Sequence, residues 1–198
     1  MNHPSPAEVS AHRKQRLRQE AFARRDALDK SWRQQASREI ARRALALPDF
    51  QHADPVGGYW PIHSEVDPRP ILRGLAKRGQ SVALAQILDP HLIWRSWRPG
   101  DPLAKGRLGV KEPRADAAEC FPQALIVPLA CFDRRGGRVG YGKGHFDRTI
   151  AALAARHPVL AVGLGYAVQE IPEVPLEPHD RRLDFIVTES ELICVRNG

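Results

Sequence analysis

A chain of 198 residues suits one domain with its own core, and 42% apolar against 27% charged residues is the balance of a soluble globular protein. No apolar stretch reaches the length of a membrane span, and Met1 to Lys14 lacks the apolar core and cleavage site of a secretory signal. The net charge of +7 is local: residues 12–43 carry eleven Lys/Arg against four Asp/Glu, and the rest carries nineteen of each sign.

Residues 1–9 read as a loose tail ahead of Ser10, a candidate N-cap. Leu17, Ala21, Leu28, Trp32, Ala36 and Ile40 recur at near-helical spacing, which predicts two helices with Asp29 capping the second and Pro48 marking its end. These helices hold the whole charge excess. A basic helix meets nucleic acid, an acidic surface or a small polyanion, or else simply stays solvated. Phe22 and Trp32, the aromatics that a nucleic-acid surface would need, fall on the apolar side.

Val56 to Trp60 reads as a strand weakened by Gly57 and Gly58. Asp67 to Arg78 reads as a helix closed by Gly79. Ser81 to Leu88 and Leu92 to Trp97 form a hairpin around Asp89-Pro90. Residues 99–122, with four prolines and three glycines, read as a long surface loop. Ala124 to Leu129, Val159 to Leu164 and Phe185 to Thr188 are short apolar runs suited to buried strands, and Asp147 to Arg156 is a helix between them. Strands alternating with helices predict an α/β fold: one domain, a three-layer sandwich with a mostly parallel sheet and helices on both faces. Cys120, Cys131 and Cys194 are odd in number and widely spaced, so they read as reduced, buried thiols rather than disulfides or a zinc ribbon.

The segment Phe132-Asp133-Arg134-Arg135-Gly136-Gly137-Arg138-Val139-Gly140-Tyr141-Gly142-Lys143-Gly144-His145-Phe146-Asp147 follows a buried strand and opens a helix. Open α/β sheets bind ligands there. Five glycines let backbone N–H groups approach an anion, the helix start adds positive potential, and Lys143 and Arg138 bring full charges. Gly144 follows the lysine where a Walker A loop needs Ser or Thr, and the spacing is not a dinucleotide fingerprint. Asp147 is placed to cap the helix or to hold Mg²⁺ beside nucleotide phosphates.

The chain resembles the 5-formyltetrahydrofolate cyclo-ligase family. The resemblance rests on Lys14-Gln15-Arg16-Leu17-Arg18, Gly58-Tyr59-Trp60-Pro61 with Glu65-Val66-Asp67, and Gly109-Val110-Lys111-Glu112-Pro113. It continues through the glycine loop, His179-Asp180 and Leu183-Asp184-Phe185-Ile186-Val187-Thr188-Glu189. It implies an ATP-dependent C–N ligase that closes 5-formyltetrahydrofolate to 5,10-methenyltetrahydrofolate with release of ADP and phosphate. It also implies catalytic roles for Lys143 and Arg138, and ATP contacts from Lys14, Arg18, Arg138, Gly140, Tyr141, Gly142, Lys143, Gly144, His145 and Phe146. The folate falls to Glu65, Tyr141, Lys143 and His145, and Mg²⁺ to Asp147 and Asp180. Where many members carry two tyrosines after the loop, this chain has His145 and Phe146; Ala85 replaces a common proline. The expected setting is a cytoplasmic monomer whose partners are ATP and the folate, with no nucleic acid and no membrane. The alternatives are a paralogue acting on another formamide and a nucleic-acid-binding protein.

Overall fold

The computed structural model describes residues 5–106 and 109–195. Helix α1 spans Pro6–Asp26, so it starts before Ser10. Its N-cap is Ser5, in a capping box with Glu8 that satisfies two end groups reciprocally. Residues 5–9 are therefore capped helix and not tail, while 1–4 lie outside the described residues. Asp29 caps α2, Lys30–Leu45, through the backbone N–H groups of Ser31 and Trp32. Pro48 does not end that helix but opens a short one, α3, Pro48–His52, where its missing N–H costs nothing. Ala21, Ala36 and Ile40 are buried as their spacing predicts, whereas Trp32 is exposed and leans on Tyr166 with ring centroids 5.5 Å apart.

Strand β1 is only Val56–Gly58, shorter than the predicted run. Its glycines are there for contact: a Cβ at Gly57 would meet Trp94, Leu125 and Pro122 within 2.9 Å. Helix α4, Arg69–Lys77, begins after Asp67, which accepts the Arg69 N–H at 2.9 Å. The hairpin is β2, Val82–Leu88, against β3, His91–Ser96. Residues 99–122 are not one loop. They hold the ribbon of β4, Leu103–Lys105, and β5, Lys111–Pro113, and the edge strand β6, Glu119–Cys120. Glu112 locks the ribbon down, since its buried carboxylate accepts the Ile87 N–H at 3.1 Å.

Strand β7, Ala124–Pro128, leads into a small hairpin of β8, Cys131–Phe132, and β9, Arg138–Val139. Helix α5, His145–Ala154, follows, then β10, Leu160–Leu164, β11, Phe185–Val187, and β12, Leu192–Cys194. The last strand has the exposed–buried–exposed alternation of an edge. The main sheet runs β12-β11-β10-β7-β1-β2-β3-β6. Its five central strands are parallel, and β3, β6 and β12 pair antiparallel at the margins. Helices α2 and α4 contribute to the core on one face, and α5 to the core on the other. The three-layer α/β architecture is thus as expected. Helix α1 packs at one end against the β8–β9 hairpin, through Ala21, Cys131 and Val139. Among the described residues none of the three cysteines is in a disulfide, but Cys194 is exposed and Cys120 half-buried, so only Cys131 is the buried thiol expected of each.

Candidate active site

Parallel strands send their following loops to one edge of the sheet. The segment after β1 carries Glu65, the hairpin after β7 carries the glycine loop, and the turn after β2 carries Asp89. The structure divides the glycine-rich stretch into two parts with different jobs. Asp133, 1% exposed, accepts the backbone N–H groups of Arg135 at 3.0 Å, Gly137 at 2.9 Å and Val174 at 2.9 Å. Gly136, at φ +81, sits so close to Leu183 that a Cβ would lie 2.6 Å from its carbonyl oxygen. Gly136 and Gly137 are therefore the turn of the β8–β9 hairpin, and only Gly140 to Gly144 forms the open loop before α5.

That loop is held from both sides. Arg18 donates from Nε to the Gly140 carbonyl at 2.6 Å, and its guanidinium lies against Gly142, where φ is +88 and a Cβ would come within 3.0 Å of Nη2. Arg148 donates to the Lys143 carbonyl at 2.5 Å and to the Pro90 carbonyl at 2.9 Å. Lys143 is exposed and its ammonium has no hydrogen bond or ion pair among the described residues. Gly144, at φ +64, takes the N-cap position of α5, so Asp147 is the third helical residue and makes no cap. The capping role read from the sequence is overturned. Asp147 Oδ1 instead accepts from Arg138 Nη2 at 2.9 Å and from the Arg181 N–H at 3.0 Å. Arg138, nearly buried, gives its other terminal nitrogen to the Arg181 carbonyl at 2.6 Å. Its guanidinium is thus already doubly bound by the protein.

His145 and Phe146 turn their side chains elsewhere. His145 Nε2 lies 3.2 Å from Asp89 Oδ1, and Phe146 packs edge-on to Trp94 at 6.1 Å. What they offer an anion is the backbone of the first turn of α5.

Across from the loop, the Glu65 carboxylate accepts the Ile62 N–H at 2.8 Å. Loss of surrounding water pushes its pKa up to about 7, against the pull of that bond, of Arg25 and of Tyr141. Tyr141 is pushed up to about 12, first by burial and then by the Glu65 charge. Between them lies Arg25, 2% exposed, a buried member of the basic run of α1. Its Nε donates to Ser64 Oγ at 2.8 Å and its Nη2 to the Tyr141 hydroxyl at 3.2 Å, while Nη1 is buried without a partner. Ser64 in turn donates to Asp26. Phe22 completes the wall, 5.0 Å from the Tyr141 ring and 4.8 Å below the Arg25 guanidinium. The only sequence sign of Arg25 was its place on the same helix as Phe22, and that does not separate it from Arg24.

This chain is matched over residues 10–189 by the model of the 5-formyltetrahydrofolate cyclo-ligase family. The chain belongs to that family. It is therefore an enzyme of the cyclo-ligase class. The Escherichia coli K12 5-formyltetrahydrofolate cyclo-ligase is 29% identical over 177 residues, spanning 85% of this chain and 96% of its own. The Mycolicibacterium smegmatis cyclo-ligase is 33% identical over 143 residues, spanning 67% of this chain and 72% of its own. The solved Aquifex aeolicus 5,10-methenyltetrahydrofolate synthetase superposes with a TM-score of 0.81 at 28% identity, covering 93% of this chain and 94% of that one.

Lys14, a residue expected at ATP, lies in an acidic knot. Its ammonium is 2.7 Å from Glu177 and 2.5 Å from Asp180. Burial presses its pKa down, but the hydrogen bonds to Asp180 and Glu177 outweigh that and the net shift is upward. Glu177, His179 and Asp180 place one ligand atom each within 4.8 Å of one another, and Lys14 already neutralises two of them. Asp147 adjoins this group through Arg181, and its hydrogen bonds in the described residues fall on Oδ1. Those of Asp180 fall on Oδ2. Each carboxylate thus keeps a second oxygen, the hard donor type that Mg²⁺ takes, although Asp147 is not one of the clustered ligand atoms. Among the described residues no helix is long and apolar enough to cross a membrane.

Proposed function

We propose that the chain cyclises 5-formyltetrahydrofolate to 5,10-methenyltetrahydrofolate, with ATP as phosphoryl donor, in the cleft between Glu65 and the Gly140–Gly144 loop. The observation that carries this reading is the Arg25 bridge: one buried guanidinium ties Ser64, next to Glu65, to Tyr141 in the loop. A carboxylate for the pterin and an N–H cradle for phosphates are thereby held against each other.

In the proposed reaction the formyl oxygen attacks the γ-phosphorus and ADP leaves. N10 then attacks the activated formyl carbon, loses its proton, and phosphate departs as the ring closes. An amide oxygen leaves poorly as hydroxide and well as phosphate, so the protein mainly positions groups and offsets charge. Glu65 accepts from donors on the pterin edge. The backbone of Gly140, Gly142 and Gly144 faces the phosphates, with Arg18 fixing the loop by its grip on Gly140. Lys143, with no competing carboxylate, meets the charge that develops between the γ-phosphoryl and formyl oxygens. Arg138 acts by holding Asp147. Mg²⁺, which would be held by Asp147 and Asp180, would neutralise phosphate charge.

Growth of methenyltetrahydrofolate absorbance on mixing the chain with Mg-ATP and 5-formyltetrahydrofolate tests the reading. Folded protein that gives no absorbance change refutes it. The nucleic-acid alternative loses its aromatic platforms, because Phe22 packs on Tyr141 and Trp32 on Tyr166. A reducing, cytoplasmic setting is proposed because none of the three cysteines is in a disulfide among the described residues. The proposed monomer is checked by sedimentation.

A further inference from the structure

On the α5 face of the sheet, between that helix and strands β3 and β6, lies a cleft of about 120 Å³. Leu92, Trp94, Thr149 and Leu153 form its buried floor, and Phe121 and Arg156 stand exposed at its rim. Two polar atoms of the floor residues, Trp94 Nε1 and Thr149 Oγ1, are buried with no hydrogen-bond partner among the described residues. A buried indole N–H normally finds an acceptor, and a threonine hydroxyl inside a helix commonly returns to a carbonyl one turn back. At the rim the Arg156 guanidinium lies 4.4 Å from the centroid of the Phe121 ring and makes no ion pair among the described residues. Phe121 is 46% exposed, so the two side chains together offer a flat, positive lip. Glu119 also borders the cleft. It sits opposite Arg95 while Cys120 sits opposite Trp94, so strand alternation turns the Glu119 carboxylate to the other face of the sheet.

We propose that this cleft binds a small aromatic carboxylic acid that carries a hydroxyl at the far end of its ring. The size fits, since an enclosed cavity of about 150 Å³ takes a benzene ring. This cleft is slightly smaller but opens at Arg156, which leaves the charged end of the ligand outside. The ring covers Leu92 and Leu153. Its hydroxyl accepts from the Trp94 indole and shares a hydrogen bond with Thr149, which satisfies both orphaned atoms. The carboxylate pairs with the Arg156 guanidinium. The site is separate from the cleft between Glu65 and the glycine loop, and it does not rest on the cyclo-ligase reading. Trp94 also packs edge-on to Phe146 in the first turn of α5, so the acid sits behind the loop and not in it.

The test is a titration of the full chain with 4-hydroxybenzoate, benzoate and 4-hydroxybenzamide, followed in nitrogen–proton correlation spectra at the sequentially assigned Trp94 indole resonance. For 4-hydroxybenzoate that resonance moves saturably, with a Kd on the order of a millimolar, as suits a ligand of this size. Benzoate binds roughly fivefold more weakly, the worth of one hydrogen bond. The neutral 4-hydroxybenzamide binds roughly two- to fivefold more weakly, the worth of an exposed ion pair. Thr149→Val, which keeps the shape of the floor, removes most of the advantage of the hydroxyl. Arg156→Gln, at an exposed position where folding is not at stake, makes the acid and the amide equal. No saturable movement of the Trp94 resonance overturns the proposal, and so does movement confined to the other tryptophans. Equal binding of the three compounds overturns it as well, as do variants that keep both preferences.

Discussion

Asp133→Ala separates the structural half of the glycine-rich stretch from the chemical half. The Asp133 carboxylate accepts three backbone N–H groups, of which those of Gly137 and Val174 lie in buried hydrogen bonds. Removing it leaves two donors with neither protein nor water. At about 1–3 kcal/mol for each orphaned group, and less for the half-buried Arg135 N–H, the loss is roughly 3–5 kcal/mol. That is a large part of the 5–15 kcal/mol about which domains are stable, and corresponds to about 10 °C in Tm for a chain of this size. Asp133→Asn keeps one acceptor but turns an NH₂ toward a donor, so it loses roughly half as much. Urea unfolding followed by tryptophan fluorescence measures both. A loss below about 1 kcal/mol in Asp133→Ala refutes the assignment of Gly136 and Gly137 to a structural turn.

Lys143→Ala lowers the single-turnover rate at saturating Mg-ATP by about a hundred- to a thousandfold, with Tm nearly unchanged, because the exposed ammonium holds nothing in the fold. A normal rate removes Lys143 from the chemistry. Lys143→Arg is also poor, since a planar fork does not replace a point charge in a loop this tight. For Glu65 the folded chain keeps a proton up to about pH 7 that the unfolded chain releases near 4.5, so its contribution to stability falls as pH rises across that window. Glu65→Gln flattens this slope in denaturation at pH 5 and 7. In the native enzyme folate binding strengthens as pH rises through about 7, as the carboxylate becomes the acceptor that the pterin needs; a Glu65→Gln chain with the same pH-dependent affinity counts against the role. Arg25→Lys keeps the charge but not the two-armed bridge to Ser64 and Tyr141, so KM for the folate rises more than kcat falls, whereas equal loss of both argues for general unfolding. Exhaustive chelation abolishes turnover and Mg²⁺ restores it; full activity in metal-free protein refutes the assignment of Asp147 and Asp180.

Sequence periodicity carries the architecture where burial is two-sided. Ala124–Pro128 and Leu160–Leu164 are apolar throughout because parallel strands are covered on both faces, and they were legible as strands. The same logic fails at margins. Leu192–Cys194 pairs on one side only and alternates over three residues, too short to show a period, and the β4–β5 ribbon hides among prolines and glycines. Ser10 drew the helix start because it precedes a basic amphipathic run, yet the reciprocal bonds of Ser5 and Glu8 win. At the site, Arg18 meets the glycine loop at Gly140 and Tyr141 faces Glu65, from motifs far apart in the chain. Residues whose role comes from partners distant in sequence were invisible: Arg25 depends on Ser64 and Tyr141, and Asp133 on Val174. Asp147 makes no cap for the same reason, since Arg138 and the Arg181 backbone hold its Oδ1.

Helix α1 also serves as a ruler. Arg18 grips the loop at Gly140 and Arg25 reaches Tyr141 in the next position, and the two arginines are seven residues apart on one helix. Seven residues make nearly two full turns and roughly 10 Å of rise, which is what lets both side chains leave the same face. Adding or deleting a single residue between them turns one grip about 100° away from the other while the helix itself survives. The exposed side chains between Arg18 and Arg25 are therefore free to drift in identity, but the count between them is fixed by the width of the loop they hold.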